Sequence, residues 1–310
     1  MSKIIAIGET VFDIIFQQTQ PVAAKPGGSM LNATVSLGRI HAPVSFISEY
    51  AKDEIGNIID SFLRQNHVDT SAVYRYSNGK TSLAIAMLDD NKNANYTFYK
   101  ELPDESLAGW IPEIEANDIV LYGSFFALSK RVRSRLLPLL RKAHDKGALM
   151  IYDPNFRKAH LHELEELMPM IRENMRLASI VRGSNEDFEM IYGTKTPDES
   201  YSNVSIYCPN LIYTKNSEAV YIQTKTLSSK FPVKSIKPLS TIGAGDNFNA
   251  GLIVGLHSKK ITREQLSTLN EEQWQPLIAT AVEFASEVCT SYDNYVSEEF
   301  ADYYLKGKIV

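Results

Sequence analysis

Cysteine is scarce in this chain of 310 residues, which contains only Cys208 and Cys289. The two residues lie far apart in the sequence and lack the CxxC spacing that is typical of zinc sites and redox-active disulfides. A disulfide framework is therefore not expected, and we interpret both residues as reduced thiols. Reduced thiols favour a cytoplasmic protein.

The sequence also lacks dense blocks of lysine and arginine, and its formal net charge is −5 at pH 7. Both features argue against a nucleic-acid groove and against a surface for anionic membranes. No apolar run approaches the length that spans a bilayer, and the strand-like segment at residues 4–7 is too short for a secretory signal peptide. We therefore expect small-molecule partners, with neither nucleic acid nor a membrane among them.

Internal repeats, low-complexity tracts and linkers rich in proline or glycine are absent as well. Hydrophobic residues make up 44% of the chain, which is enough for a sizeable core. The sequence therefore predicts one domain over residues 1–310.

What the chain does contain is an alternation of short β-rich runs and amphipathic segments. The predicted strands cover residues 4–8, 44–48, 119–122, 149–153 and 178–182, and the predicted helices cover residues 29–40, 54–65, 130–145, 163–174, 244–258 and 275–289. Strands that alternate with helices are typical of βαβ units. The pattern predicts an α/β fold with a doubly wound, mainly parallel sheet covered by helices on both faces.

A second group of runs has no helices between its members. Residues 73–76, 82–88 and 95–99 are rich in aromatic and β-branched side chains, and residues 11–17 have a similar pattern. We expect these strands, at about residues 11–27 and 72–100, to form a small sheet inserted into the domain.

The clearest chemical signal lies in residues 240–248, where Gly243, Ala244 and Gly245 precede Asp246 at the start of an apolar helical run. The first N–H groups of a helix lack intrahelical partners and the helix dipole favours anions, so this end suits phosphate oxygens. Asp246 is then placed to take a proton from a hydroxyl that attacks phosphorus. The alternative interpretation is a plain glycine turn in which Asp246 stabilises the helix end.

This segment resembles the GAGD signature of the ribokinase, or pfkB, family of carbohydrate kinases. Further similar motifs follow the family's order along the whole chain: Gly8-Glu9 with Asp13, the glycine pair before Asn32 in residues 26–39, Asp153-Pro154-Asn155-Phe156-Arg157, Asn185-Glu186 and Tyr213-Thr214-Lys215. The resemblance implies a ribokinase-like fold and ATP-dependent phosphorylation of a sugar. It also implies that the small sheet is a lid over the sugar site and the contact surface of a homodimer.

The same resemblance implies a role for each matching residue. Asp246 would be the catalytic base, and the backbone of residues 243–245 would form an anion hole. The sugar contacts would come from Asp13, Gly28, Asn32, Lys100 and Arg157. From the residues alone, Asp13 also fits a polar position of the lid strand, Asn32 a helix start, and Arg157 a salt bridge with Asp153 or Glu186.

For the nucleotide, the resemblance implies contacts from Asn185, Thr214 and Asn216, with Mg²⁺ supported through water by Glu186. The residues after Asn185 do not settle which acid has this role, because Glu186, Asp187 and Glu189 are all candidates. Asn216 and Ala219 stand where the family's nucleotide loop has glycines, and Ser240 replaces an acid that helps to place a monovalent cation, which weakens the case for K⁺. The helix at residues 275–289 and the loop at residues 290–294 are expected to flank the adenine.

The identity of the sugar depends mainly on Lys100, which stands where fructokinases and 2-keto-3-deoxygluconate kinases usually have arginine. A lysine is a point charge and not a planar fork, so it favours a neutral sugar. Fructose is therefore the first expectation, with 2-keto-3-deoxygluconate next and ribose or a nucleoside after it. A sugar-binding regulatory protein with little kinase activity stays open, whereas the Gly8-Glu9-Thr10 turn argues against a nicotinamide dehydrogenase.

Overall fold

The computed structural model describes residues 2–88, 94–233 and 236–307. The strands are β1 (Ile4–Ile7), β2 (Val11–Gln17), β3 (Gln20–Gly27), β4 (Val44–Ile47), β5 (Glu49–Ala51), β6 (Tyr74–Tyr76), β7 (Lys80–Leu88), β8 (Ala94–Glu101), β9 (Ile119–Gly123), β10 (Leu149–Asp153), β11 (Ile180–Ser184), β12 (Leu211–Lys215), β13 (Ala219–Gln223) and β14 (Ser228–Pro232). The helices are α1 (Ser29–Arg39), α2 (Glu54–Gln65), α3 (Lys130–Asp145), α4 (Leu164–Leu177), α5 (Asn185–Tyr192), α6 (Pro197–Val204), α7 (Ala244–Ser258), α8 (Glu271–Val288) and α9 (Glu298–Gly307).

The main sheet has eight strands in the order β14-β13-β12-β11-β10-β9-β1-β4. The strands from β12 to β4 are parallel, and β13 and β14 are antiparallel additions at one edge. On one side β1 pairs with β4 and on the other with β9, so the chain winds outwards in both directions from this point. Such a switch point leaves a crevice at the carboxyl ends of the strands.

Helices cover both faces of the main sheet, as the sequence predicts. Alternate residues of β1 point to opposite faces: Ile4 and Ala6 join one hydrophobic core, and Ile5 and Ile7 join the other. The first core contains buried residues of α1, α7 and α8, and the second contains those of α3, α4 and α5. The result is a three-layer α/β/α body.

A separate four-stranded sheet, which we call the small sheet, has the order β3-β2-β7-β8. Its strands β2 and β3 lie between β1 and the glycine pair before α1, whereas β7 and β8 follow β6 and lead to β9. The predicted membership of residues 73–76 is wrong. These residues form β6, which pairs with the buried strand β5 in a two-stranded sheet, because periodicity identifies a strand but not its partner.

Local capping explains the helix boundaries. The predicted bounds of α2 are confirmed, and the Asp53 carboxylate accepts a hydrogen bond from the Gly56 N–H at 2.7 Å. Helix α8 begins four residues before the predicted start, because Asn270 and Gln273 form a capping box there. Among the helices in the described parts of the chain, none combines the length and apolar character that a membrane span requires.

Candidate active site

The glycine segment at the start of α7 has a left-handed backbone at Gly243. Gly243 precedes the first residue of α7 and has φ +80°. A Cβ atom on Gly243 would stand 2.7 Å from the carbonyl oxygen of Asn294, so both its conformation and its surroundings require glycine. The first turn of a 15-residue helix therefore begins at this position, and its Ala244 N–H donates to the carbonyl oxygen of Thr241 at 3.3 Å.

Asp246 lies in the first turn of α7 and is 8% exposed. Its Oδ1 accepts a hydrogen bond of 2.6 Å from the Ser29 hydroxyl, and its Oδ2 accepts one of 2.8 Å from Nδ2 of Asn32. Burial raises the pKa of Asp246, while the two hydrogen bonds and the charge of Arg157 oppose the rise. A carboxylate with a raised pKa that is held in a fixed orientation is suited to accepting a proton.

The start of α1 brings the glycine pair to the same place. Gly28 has φ +131°, and a Cβ atom there would stand 2.3 Å from the carbonyl oxygen of Glu9. Asn32 is 4% exposed, and its Oδ1 has no hydrogen-bond partner among the described residues. An unpaired buried amide oxygen next to Asp246 is a site where a ligand hydroxyl can donate.

Asp13 lies on β2 of the small sheet, directly opposite Lys25 of β3. Burial raises the pKa of Asp13 to about 6, against the opposing charge of Lys25. A Cβ atom on Gly27 would stand 2.1 Å from Oδ2 of Asp13, so this carboxylate packs directly on the backbone of the glycine pair. The structure therefore brings Asp13 and the glycine pair together.

The edge strand β8 adds Tyr96, Phe98 and Lys100. They are every second residue of the strand, so all three lie on the face of the small sheet that carries Asp13. Burial raises the pKa of Tyr96, and the charges of Asp13 and Arg157 act on it in opposite directions. Tyr96 therefore lies within electrostatic reach of both. Tyr96 is not among the sugar contacts expected from the sequence, although residues 96 and 100 of one strand lie on the same face.

Lys100 forms an ion pair with Glu9 and lies 5.2 Å from the ring centroid of Phe98. Arg157 is exposed and makes no ion pair among the described residues. The alternative salt bridge between Arg157 and Asp153 is wrong, because Asp153 pairs with Arg182.

That pair belongs to a buried network behind the glycines, which the sequence did not reveal. Nη1 of Arg182 donates to Oδ2 of Asp153 at 2.8 Å, and Nδ2 of Asn249 donates to the same oxygen at 2.6 Å. A Cβ atom on Gly245 would stand 2.8 Å from Nη1 of Arg182. Glycine is thus required at position 245, because the Arg182 guanidinium packs against it where a Cβ atom would stand. Nη2 of Arg182 also donates to the Thr214 hydroxyl at 3.0 Å.

The acidic residues after β11 have separate surroundings. The Asp187 carboxylate is committed to a capping box with Ser184 and accepts from the Phe156 N–H at 2.7 Å. Glu186 is exposed in the first turn of α5, and the buried Oδ1 of Asn185 has no hydrogen-bond partner within the described part of the chain. Both oxygens of Asp187 thus already accept hydrogen bonds, whereas the carboxylate of Glu186 is exposed.

The loop after β12 explains how the chain tolerates its missing glycines. Asn216 has φ +44°, a left-handed conformation that asparagine adopts more readily than most residues. Ala219 is the first residue of β13 and pairs with Lys215, so glycine is not needed there. This turn is a tight hairpin between adjacent strands of the main sheet.

Comparison of the sequence with known proteins identifies relatives. Residues 1–299 match the description pfkB family carbohydrate kinase. The chain is 25% identical over 287 residues to a protein named probable fructokinase-2 of Arabidopsis thaliana, with 87% of this chain and 84% of that protein covered. It is 23% identical over 292 residues to fructokinase-1 of Oryza sativa subsp. japonica, with 90% and 88% covered.

Solved structures confirm the ribokinase-like fold. A fructokinase from Vibrio cholerae O395, bound to fructose, ADP and calcium ion, superposes with a TM-score of 0.83 at 21% identity over 98% of this chain and 99% of that one. An aminoimidazole riboside kinase from Salmonella enterica, complexed with aminoimidazole riboside and an ATP analogue, gives 0.82 at 18% identity, with coverages of 98% and 100%.

Proposed function

Because the chain belongs to the pfkB family of carbohydrate kinases, we propose that it transfers the γ-phosphoryl group of ATP to a hydroxyl group of fructose. ATP-dependent sugar phosphorylation follows from the family, whereas the choice of fructose and the roles of single residues are our inference. The position of Asp246 supports the chemistry most strongly. Its buried carboxylate stands in the first turn of α7, next to the glycines of the anion hole.

In the proposed reaction, Asp246 takes the proton of the attacking hydroxyl. Ser29 and Asn32 hold the two carboxylate oxygens, which limits the rotation of the side chain and favours its ionised form against the effect of burial. The backbone N–H groups of Gly243, Ala244 and Gly245 stabilise charge on the transferring phosphoryl group. General-base catalysis contributes about 10²- to 10⁴-fold to such reactions.

The acceptor would lie between the small sheet and α1. Asp13 accepts hydrogen bonds from sugar hydroxyls, Oδ1 of Asn32 accepts another, and the backbone of Gly28 provides a further contact. Tyr96 closes the same space from β8. This arrangement gives the small sheet the role of a lid.

A divalent cation is implied by the kinase family, and the residues fit Mg²⁺. Within residues 2–88, 94–233 and 236–307, no three His, Cys, Asp or Glu side chains are grouped to hold a metal. Mg²⁺ usually binds phosphates, waters and only one or two carboxylates, and Glu186 is an exposed carboxylate that fits this role. When bound, Mg²⁺ would neutralise phosphate charge. We assign no K⁺ site, because Ser240 offers no carboxylate.

For the nucleotide, Asn185 and Asn216 remain the proposed contacts, since both follow the carboxyl ends of neighbouring parallel strands. Thr214 would act differently, because its hydroxyl already accepts from Arg182 and donates to the carbonyl oxygen of Gly183 at 3.3 Å. We propose that Thr214 supports Arg182 behind the anion hole.

The ion pair between Lys100 and Glu9 favours a neutral sugar. Glu9 neutralises the lysine that would otherwise attract a carboxylate, and fructose carries no charge. A second candidate, 2-keto-3-deoxygluconate, is favoured by Arg157, whose guanidinium has no ion-pair partner in the described ranges and could receive an acid group.

We also propose a homodimer formed through the small sheet. Phe16, Met87 and Tyr99 share the face opposite Asp13, and Met87 and Tyr99 are 43% and 56% exposed. A second copy would cover this apolar face. Sedimentation velocity should show a dimer for the wild type and a monomer for Tyr99→Lys, and a monomeric wild type would contradict the proposal.

A cytoplasmic location agrees with the two unpaired cysteines.

ADP release with Mg²⁺-ATP tests the function over a panel of fructose, 2-keto-3-deoxygluconate, ribose, tagatose, glucose and adenosine. We expect turnover to be highest with fructose. If another acceptor gives the highest turnover, the protein would still be a kinase, but fructose would be rejected as its substrate. If no acceptor supports turnover although sugar binds, the protein would be a sugar-binding regulator and the proposed reaction would be wrong.

A further inference from the structure

Lys25, which lies opposite Asp13 in the small sheet, also reaches across to the main body. Its Nζ donates a hydrogen bond of 2.5 Å to the carbonyl oxygen of Tyr292. Burial lowers the pKa of Lys25, and the carboxylates of Asp293 and Asp13 oppose the fall. One ammonium group therefore faces a carboxylate of the acceptor site and a carboxylate of a distant loop.

That loop packs directly on the start of α7. The carbonyl oxygen of Asn294 accepts a hydrogen bond of 2.8 Å from Nδ2 of Asn247. The same oxygen lies where a Cβ atom on Gly243 would meet it at 2.7 Å. Asn294 lies two residues after Tyr292, which accepts the hydrogen bond from Lys25. The loop that Lys25 contacts thus also supports the backbone that precedes the first turn of α7.

We propose that Lys25 is a positioning residue that couples acceptor binding to nucleotide binding. An acceptor held by Asp13 fixes the small sheet in the position where Lys25 reaches Tyr292 and Asp293. The loop is then held against Gly243, where the phosphates of the nucleotide bind. Because coupling between two binding sites is reciprocal, each ligand strengthens the binding of the other. This inference rests on the proposed function, since it needs both sites.

The test measures the affinity of the non-hydrolysable ATP analogue AMP-PNP with Mg²⁺ by calorimetry, with and without a saturating acceptor. The acceptor is the sugar with the highest turnover in the ADP-release panel, so the test does not depend on fructose. The variants are Lys25→Met, which removes the charge, and Lys25→Arg, which keeps it. Lys80→Met is the matched control, because Lys80 is a lysine of the same sheet whose side chain is 73% exposed.

We expect the acceptor to tighten AMP-PNP binding by about 5-fold or more in the wild type. Lys25→Met should reduce this ratio to about 1, while Lys25→Arg and Lys80→Met should keep most of it. A wild-type ratio near 1, or an unchanged ratio in Lys25→Met, would overturn the inference. So would an equal loss in Lys25→Met and Lys80→Met.

Hydrogen exchange provides a readout that needs neither ligand. In the free protein, Lys25→Met should speed the exchange of the amides at residues 292–294, and Lys80→Met should not. Unchanged exchange in Lys25→Met would reject the contact itself. Faster exchange in a protein that fails to phosphorylate any acceptor would instead retain the contact and reject the proposed reaction.

Discussion

Nδ2 of Asn32 donates a hydrogen bond of 2.8 Å to Oδ2 of Asp246. The bond joins the start of α1, which follows the small sheet, to the first turn of α7. The residue proposed to contact the acceptor therefore also orients the proposed base. A change at either residue should alter both acceptor binding and turnover.

Ser29→Ala should move the pH dependence of catalysis. The Ser29 hydroxyl lowers the pKa of Asp246, which burial raises, so its removal should raise that pKa further. The ionised form is the active base, and kcat/KM is lost as the pH falls through this pKa. The acid limb of the kcat/KM profile should therefore shift to higher pH. A shift to lower pH, or no shift relative to the exposed control Ser61→Ala, would contradict the role of Asp246.

Asp13→Asn should stabilise the ligand-free protein and weaken acceptor binding. The pKa of Asp13 is about 6 in the folded protein against the ordinary aspartate value of 3.8. Between these values the folded state holds a proton that the unfolded state releases, so the free energy of unfolding falls as the pH rises from about 4 to 6.

At pH 8, urea unfolding should therefore show Asp13→Asn to be more stable by about 2 kcal/mol. The KM for the acceptor should rise by about tenfold or more, because a charged hydrogen-bond acceptor is lost. The exposed control Asp104→Asn should change neither quantity. A less stable Asp13→Asn protein would contradict the unfavourable burial of this carboxylate.

Gly245→Ala should impair turnover. The added Cβ would stand 2.8 Å from the Arg182 guanidinium, and the backbone of the anion hole would have to move. We expect kcat to fall by about 10²-fold, the typical effect of losing one such donor. The control in the same helix is Gly255→Ala, whose Cβ would stand 3.0 Å from Cδ2 and 3.3 Å from Cα of Leu277, away from the proposed site. Equal kcat values for both variants would show that the position of Gly245 is unimportant.

Much of this site could be predicted from the sequence, because local sequence patterns identify its key residues. The glycines before α7 fix both the start of the helix and the position of Asp246, and the pair before α1 does the same for Asn32. The network of Asp153, Arg182 and Asn249 could not be predicted, since its members are 29 to 96 residues apart. The pairing of β6 with β5 likewise joins residues that are 25 positions apart in the sequence. Local patterns do not contain pairings between distant segments.

Transfer of a radiolabelled γ-phosphoryl group from ATP to the sugar, compared between the wild type and Asp246→Asn, tests the proposed chemistry most directly. The variant should keep its cooperative unfolding and its affinity for AMP-PNP, because asparagine has nearly the same shape as aspartate. It should lose about 10²- to 10⁴-fold in kcat, since the amide cannot take the proton of the hydroxyl. Turnover near the wild-type value would contradict the assignment of Asp246 as the base.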